Sequence, residues 1–180
     1  MEHKLYIYEI VLNLLKAENH LRKIAKDLKI NHMTIKRALD ALVKENVLDV
    51  KEQGRNNIFT IKKTLEAQSI VLMAEAYKLM RLLKRHPELK QSISELKKLP
   101  TDLIVMFGSY AKGSETKDSD IDIFIETKDK KIREKAKLHS KFSIKIGDYE
   151  KENLLIKEIE KNHIILKGVE SFYEKNNFFG

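Results

Sequence analysis

Residues 120–125, DIDIFI, constrain the fold of this chain more than any other stretch. In a β-strand successive side chains point to opposite faces, so Asp120 and Asp122 share one face and the isoleucines share the other. The isoleucine face predicts a strand packed on a core. The acidic face directs two neighbouring carboxylates at one point, where they repel each other unless a cation lies between them.

A glycine-serine turn precedes this strand and follows another one. Residues 103–107 are predicted to form a buried strand, and Gly108 and Ser109 come directly after it at an expected helix start. Glycine lets the backbone approach a ligand closely, and N–H groups at a helix start suit phosphate oxygens. Lys112 and Lys117 add positive charge that offsets the charge of a triphosphate.

The acid pair and the turn together predict a nucleotide site that uses magnesium. Magnesium in proteins is held by one or two carboxylates plus phosphate oxygens, and paired ions clamp the oxygens of an in-line displacement. We therefore expect Asp120 and Asp122 to hold Mg²⁺, and Gly108, Ser109 and Lys112 to bind the nucleotide. Acids that merely decorate a strand edge are the alternative interpretation.

The order of these residues resembles a known signature. Gly108 and Ser109, ten residues, and then Asp-Ile-Asp at 120–122 resemble the motif of the DNA polymerase β-type nucleotidyltransferases, in particular their minimal prokaryotic branch. Further matches within the stretch GSYAKGSETKDSDID are Ala111, Gly113 and Ser119. The resemblance extends over roughly residues 100–168 and is specific, because turn, spacing and acid pair coincide.

The resemblance implies a fold, a reaction and partners. The fold is a small mixed sheet flanked by helices. The reaction transfers a nucleoside monophosphate from an NTP, with ATP as the expected donor, to an acceptor hydroxyl and releases pyrophosphate. Asp120 and Asp122 are then the catalytic, magnesium-binding residues, and Gly108 and Ser109 hold the terminal phosphates. Family members modify tRNA ends, antibiotics, proteins or nucleotides, and some minimal members are antitoxins, which implies a possible helical protein partner.

The sequence departs from the family pattern in two places. Many members have arginine where Lys112 stands, and lysine lacks the bidentate fork of arginine. Active members usually add a third carboxylate from a later strand, here expected in KFSIKIGDYE. The alternation of that strand places Ser143 and Lys145 on the relevant face, and Asp148 reaches it only after a register shift or a bulge. Whether the chain is an active enzyme therefore stays open.

The first 63 residues have the element order of a different domain. The stretches HKLYIYEIVLNLLKAE, NHLRKIAKDLKI and NHMTIKRALDALVKENVL show helical spacing of apolar residues, and LDVKEQGRNNIFTIKK predicts a hairpin. Asn19 and Asn31 are expected to cap the second and third helices. Three helices followed by a hairpin resemble a winged helix-turn-helix domain, with a plain three-helix bundle as the alternative.

The winged-helix interpretation predicts a DNA-binding surface. A recognition helix over residues 33–46 would enter the major groove with its early residues, while Ile35 and Leu39 face the core. The predicted DNA-binding residues are His32, Thr34, Lys36 and Arg37, with Arg55 at the tip of the wing. Some winged helices mediate only protein contacts, so that alternative stays open.

The charge distribution favours nucleic acid near the N-terminus. The chain of 180 residues has a net charge of +8, and residues 1–63 hold 13 Lys and Arg against 8 Asp and Glu. Residues 101–180 hold 15 of each, so the positive excess lies in the first 100 residues. A basic surface suits nucleic acid, although a merely soluble, lysine-rich surface explains the numbers as well.

Residues 64–100 are predicted to link the two domains through helices. Leu65, Leu72 and Leu79 recur every seven residues, which indicates a long amphipathic helix. A connector helix packed on both domains is the simpler interpretation, and a helix that forms a homodimer is the alternative. The expected organisation is a winged helix-turn-helix domain at 1–63, a helical linker at 64–100 and a minimal nucleotidyltransferase domain at 101–180.

Composition excludes several classes of protein. No apolar run approaches the roughly 18 to 20 residues of a membrane span, and the first residues lack a signal-peptide core, so we expect a cytoplasmic protein. Cysteine is absent, which excludes disulfides and thiolate metal sites. The six histidines show no metal-ligand spacing.

These observations predict a mixed α+β protein with a winged helix-turn-helix, a helical linker and a nucleotidyltransferase sheet domain. The expected function is magnesium-dependent nucleotidyl transfer directed by a DNA-binding winged helix. The alternative function is that of a DNA-binding transcriptional regulator whose transferase domain is catalytically degenerate and senses nucleotide.

Overall fold

The computed structural model describes residues 5–54, 56–137 and 140–179. Within these ranges the chain forms α-helices, one short 3-10 helix and strands in two separate sheets, so the prediction of a mixed α+β protein is confirmed. None of the helices in the described ranges combines the length and the apolar character that crossing a membrane requires.

The chain separates into two compact units. The N-terminal unit comprises the described residues up to Tyr77 together with Phe178 and Phe179. The C-terminal unit is Lys78–Asn177. The division falls within the long helix Leu65–Arg85, so it lies inside the segment predicted to link two domains.

The N-terminal unit combines helices with a small antiparallel sheet. Its helices are α1 (Tyr6–Lys16), α2 (Leu21–Leu28), α3 (His32–Lys44) and the first part of α4 (Leu65–Arg85). Its strands are β1 (Asn19–His20), β2 (Leu48–Gln53) and β3 (Asn56–Ile61). The sheet has the order β1-β3-β2, and the pairing of β2 with β3 confirms the predicted hairpin.

Side-chain caps explain where α2 and α3 begin. The backbone N–H of Met33 donates to Asn31 Oδ1 over 2.8 Å, which confirms the predicted cap of α3. The cap of α2 is His20, whose Nδ1 accepts from the N–H of Lys23 over 3.2 Å. The prediction of Asn19 for that cap was wrong, because Asn19 pairs in β1 and its amide donates to Asn13.

The C-terminal unit is built around a four-stranded mixed sheet. Its strands are β4 (Ile104–Phe107), β5 (Ile121–Glu126), β6 (Phe142–Gly147) and β7 (Ile164–Lys167). Its helices are the end of α4, a 3-10 turn (Pro87–Leu89), α5 (Lys90–Lys97), α6 (Gly108–Lys112), α7 (Lys130–Lys135), α8 (Leu154–Lys161) and α9 (Val169–Lys175). The sheet order is β6-β5-β4-β7, with β5 and β6 parallel and the other pairs antiparallel.

Strand β5 has one fully buried face and one face that is partly exposed. Ile121, Ile123 and Ile125 are at most 1% exposed and belong to the main apolar cluster of this unit, as the alternation predicted. On the other face Asp122 and Glu126 are half-buried, and Phe124 between them is buried. Asp120 and Asp122 lie at the end of this face where the strand begins.

Candidate active site

The acid pair lies where β5 begins. Asp120 is exposed and comes directly before the strand, and Asp122 is half-buried at its second position. Asp122 pairs with Phe107, the last residue of the antiparallel strand β4. Because α6 starts immediately after Phe107, the start of β5 and the start of α6 meet at one end of the sheet.

Gly108 brings the backbone of this turn against the acid pair. Its φ of +68° lies in the left-handed region, which non-glycine residues rarely adopt. A Cβ at this position would collide with Oδ2 of Asp122. Ser109 follows in the first turn of α6 and is half-buried. The structure thus brings Gly108 against Asp122, and Ser109 and Asp120 are their neighbours in the chain.

The electrostatics of Asp122 are unbalanced. Burial is the main cause that raises the pKa of Asp122 above its ordinary value, and the neighbouring charge of Asp120 adds to it. A hydrogen bond from Ser143 and the charge of Lys145 act in the opposite direction but do not cancel the shift. A carboxylate pair in this state favours additional positive charge.

Lys112 lies at the end of α6 and is engaged with another acid. Its Nζ is 3.0 Å from Oε1 of Glu158 on α8, and both side chains are more than 40% exposed. The charge of Glu158 also contributes to the raised pKa of Asp122. Because exposed ion pairs are worth only about 0–1 kcal/mol, Glu158 holds Lys112 only weakly.

Strand β6 supplies no third carboxylate next to the pair. It runs parallel to β5 in an unshifted register that places Ser143 opposite Asp122 and Lys145 opposite Phe124. Asp148 follows the end of β6, five residues beyond Ser143 and so about 16 Å further along the strand direction. Its Oδ2 is 3.1 Å from Nζ of Lys128. No bulge or register shift carries Asp148 to the acid pair.

The described residues contain no group of three or more His, Cys, Asp and Glu side chains that could hold a metal ion by themselves. A cation at this end of the sheet would therefore have Asp120 and Asp122 as its carboxylate ligands and would need further oxygens from elsewhere. Phosphate oxygens are the usual complement for magnesium.

The predicted DNA-binding residues lie in the N-terminal unit. His32, Lys36 and Arg37 are exposed on the first half of α3, and Thr34 is half-buried. Ile35 and Leu39 of the same helix are fully buried, as expected. The remaining residue of this set, Arg55, lies outside the described residues.

The sequence did not identify Ser143 and Glu158 as residues that act on the acid site. Ser143 and Asp122 are 21 residues apart in sequence and meet only through strand pairing, and Glu158 reaches Lys112 from a helix 46 residues away. Neither contact has a local sequence signal. The strand alternation put Ser143 on the correct face but did not specify its partner.

Comparison with protein families now adds to this geometry. The model of a nucleotidyltransferase domain matches residues 86–175, which is half of the chain. The chain belongs to the nucleotidyltransferase family. The match contains the turn, the acid pair and the whole four-stranded sheet, and it begins after the N-terminal unit. Comparisons with curated proteins and with solved structures find no match.

Membership of the nucleotidyltransferase family gives the acid site a general chemical meaning. It confirms the nucleotidyltransferase part of the predicted resemblance and supports nucleotidyl transfer as the general activity, with a nucleotide as substrate. Nucleotidyltransferase domains typically use a divalent metal. A cation is also what the acid pair favours, because the positive charge around Asp122 does not offset its raised pKa.

Proposed function

We propose that this protein is a magnesium-dependent nucleotidyltransferase that moves a nucleoside monophosphate from an NTP, with ATP as the expected donor, to an acceptor hydroxyl. The observation that carries the proposal is the contact between Gly108 and Asp122, which leaves no room for a Cβ. It sets an acid pair directly against a backbone turn that suits phosphate. Gly108 is buried with its φ in the left-handed region, and the carboxylate beside it keeps a raised pKa.

Asp120 and Asp122 would hold the magnesium ion. Asp120 is exposed and Asp122 is half-buried two residues later, and the raised pKa of Asp122 fits a bound divalent cation better than a pair of free charges. When bound, magnesium supplies charge neutralisation for the phosphates during displacement.

The remaining residues of the site would bind and orient the nucleotide. The backbone at Gly108 and the hydroxyl of Ser109 are available to phosphate oxygens at the open end of the sheet. Lys112 would leave Glu158 and move to the phosphates, because its present ion pair is exposed and weak. Lys145 is exposed, and its charge acts on Asp122, so it would add positive charge near the same anions.

For the N-terminal unit we propose a winged helix that binds DNA. Three helices, a hairpin and exposed basic residues at the start of α3 support this role. His32, Thr34, Lys36 and Arg37 would face the DNA. DNA binding would then direct the transferase to a site on a chromosome or to a protein assembled there.

A second function is favoured by the missing third carboxylate. With Ser143 opposite Asp122 and Lys145 two residues further, the site can hold a nucleotide while lacking a base for the acceptor hydroxyl. The protein would then be a DNA-binding regulator whose degenerate transferase domain senses nucleotide.

A transfer assay tests the enzymatic proposal. The full chain is incubated with Mg²⁺ and each NTP labelled at the α-phosphate, in host extract, beside an Asp120→Ala/Asp122→Ala variant. We expect label on one class of acceptor with the natural chain and none with the variant. Label that persists in the variant, or no label despite a functional positive-control transferase, would remove the enzymatic proposal.

A DNA-binding titration separates the two functions. Duplex affinity is measured at several salt concentrations, with and without MgATP, for the natural chain and for Lys36→Ala/Arg37→Ala. Loss of two phosphate contacts is expected to lower the affinity and to reduce the salt slope by about 2. Dependence of DNA affinity on MgATP without any transfer supports the sensor. No duplex binding even at low salt overturns DNA targeting.

A further inference from the structure

Outside the acid pair, the connection between α6 and β5 carries a charged cluster with no role assigned so far. Glu115 in this connection has a side chain that is only 13% exposed. Its Oε1 is 2.8 Å from Nε2 of His86 and 3.5 Å from Nη1 of Arg85. Its Oε2 is buried and has no hydrogen-bond partner among the described residues. The ionised form of Glu115 is therefore favoured by His86, by a backbone hydrogen bond and by the charge of Arg85.

His86 joins two acids at once. Its Nδ1 is 3.2 Å from Oε1 of Glu88, while its Nε2 reaches Glu115. Each ring nitrogen of His86 therefore lies within hydrogen-bond distance of a carboxylate oxygen. The ring links Glu115 to the 3-10 turn that contains Glu88.

The cluster also packs on α6, where the connection begins. The ring of His86 lies 5.0 Å from the ring of Tyr110 in α6, measured between centroids. Nη1 of Arg85 would be 3.3 Å from a Cβ at Gly113, the residue that ends α6. Glu115 follows two residues later, so the contacts extend from the phosphate turn into the connection.

The rest of this connection is tied down at successive points. The N–H of Ser114 donates to the carbonyl of Ser109 over 3.1 Å. The N–H of Thr116 donates to Oγ of Ser119 over 2.9 Å, which closes a tight turn just before Asp120. The donors of these bonds lie within residues 110–119, the ten-residue segment between Ser109 and Asp120.

We infer that Glu115, held by His86 and Arg85, is a positioning residue for the nucleotide site: it fixes the connection that sets Gly108 and Ser109 against Asp120 and Asp122. Its carboxylate acts through the backbone of the connection and does not touch the nucleotide. The inference deepens the proposed function and rests on it, because what is positioned is the proposed phosphate turn and acid pair.

The positioning is expected to depend on pH. His86 and Arg85 contact the carboxylate of Glu115, and Glu88 and Tyr110 lie against the ring of His86. Burial acts to raise the pKa of Glu115, but the hydrogen bond from His86, a backbone hydrogen bond and the charge of Arg85 hold that pKa below its usual value. Protonation of Glu115, as the pH falls below 4.5 and through this lowered pKa, thus weakens its contacts with His86 and Arg85.

The test uses Glu115→Gln and His86→Gln in the full chain. Glu95→Gln is the matched control, since Glu95 is an acid of α5 that pairs with Lys98 away from the connection. Amide hydrogen exchange over residues 113–120 is measured, together with MgATP affinity by calorimetry. We expect both cluster variants to exchange about tenfold faster over 113–120 and to bind MgATP about tenfold more weakly, with the control unchanged.

A pH series adds a readout that a general packing defect would not move. In the natural chain, protection over 113–120, corrected for intrinsic exchange rates, is expected to fall as the pH drops below 4.5 and through the lowered pKa of Glu115. The Glu115→Gln variant is expected to show no such fall.

The outcomes separate the inference from the proposed function. If the natural chain does not bind MgATP, the proposed nucleotide site is lost, and the exchange data still decide whether the cluster holds the connection. Unchanged exchange over 113–120 in Glu115→Gln overturns the inference, whatever the affinity. Faster exchange spread evenly through β5 and β6 also overturns it, because it indicates a loss of general stability. Local loosening with full MgATP affinity shows that the connection does not position the site.

Discussion

Two acidic regions of the C-terminal unit, one around Asp122 and one around Glu115, balance their charges differently. Burial works to raise the pKa of both carboxyls. At Glu115, His86 and Arg85 overcome that effect, so its pKa lies below the usual value. At Asp122 the Ser143 hydrogen bond and the Lys145 charge do not, and the pKa is raised.

The difference teaches how to tell a structural charge from a functional one. A carboxyl whose pKa is lowered in the folded state favours folding when it is ionised, whereas one that keeps a raised pKa is tolerated for another reason. At Glu115 the neighbouring hydrogen bonds and charges outweigh burial, although Oε2 has no hydrogen-bond partner among the described residues. At Asp122 burial outweighs the neighbouring charges, and on the proposed function a bound cation would supply the missing positive charge.

Replacement of Asp122 by asparagine gives the largest expected effect. The change keeps the size of the side chain and removes the charge that would hold magnesium, so the rate of transfer should fall by about 10²–10³-fold. Radiolabel transfer under identical conditions measures it. Asp118→Asn, an exposed acid in the preceding connection, is the control and should retain the natural rate. An equal loss of transfer rate in both variants would show that Asp122 has no special role.

Gly108→Ala is expected to have the second-largest effect, because it pushes the backbone at position 108 away from Asp122. The new Cβ meets Oδ2 of Asp122 in a backbone conformation unfavourable to alanine. We expect MgATP affinity to fall by about 100-fold and the free energy of unfolding to fall by about 1–3 kcal/mol. Gly147→Ala is the control, since nothing lies within 4 Å of a Cβ there. Calorimetry and urea unfolding report the two quantities.

Ser143→Asp sharpens the comparison in the opposite direction. It adds a third carboxylate directly opposite Asp122 and should tighten the binding of Mg²⁺ by about tenfold, which corresponds to about 1.4 kcal/mol. Ser143→Asn has nearly the same size without the charge and should not tighten it. Metal titration followed by calorimetry distinguishes them. Weaker Mg²⁺ binding by the Asp variant would show that Ser143 does not face the metal.

The smallest expected effects are changes in the free energy of unfolding, which have opposite signs in Asp122→Asn and Glu115→Gln. A raised pKa in the folded state means that ionised Asp122 opposes folding at neutral pH, so Asp122→Asn should stabilise the protein by at most about 0.5 kcal/mol after solvent screening. A lowered pKa means that ionised Glu115 favours folding, so Glu115→Gln should destabilise it by about 1 kcal/mol.

Both differences should shrink on acidification. The destabilising contribution of Asp122 is lost as the pH falls through its raised pKa, and the stabilising contribution of Glu115 is lost as the pH falls below its ordinary value of 4.5 and through its lowered pKa. Urea unfolding from about pH 7 down to about pH 3 measures the trend. Variants that shift stability in the same direction at neutral pH would contradict the contrast between the two regions.

Several features of both units were predictable because they depend on residues that are close together in the sequence. The alternation in 120–125 predicted the isoleucine face of β5, and the turn at Gly108 and Ser109 predicted a close backbone approach. The hairpin of β2 with β3 and the cap at Asn31 were equally local. The cap of α2 was assigned one residue too early, because strand β1, which takes up Asn19, has only two residues and leaves no periodic pattern.

The sequence by itself determined which residues carry charge, which faces of strands and helices are apolar, and that an acid pair follows a glycine-serine turn. These properties depend on neighbours two to four positions away, so they are visible in the order of residues. Only the tertiary structure decided that Asp148 lies far along β6 from the pair, that Ser143 faces Asp122, and that His86 holds Glu115 across 29 residues. The physical reason is that strand register and helix packing create these contacts, and neither has a period that the sequence displays.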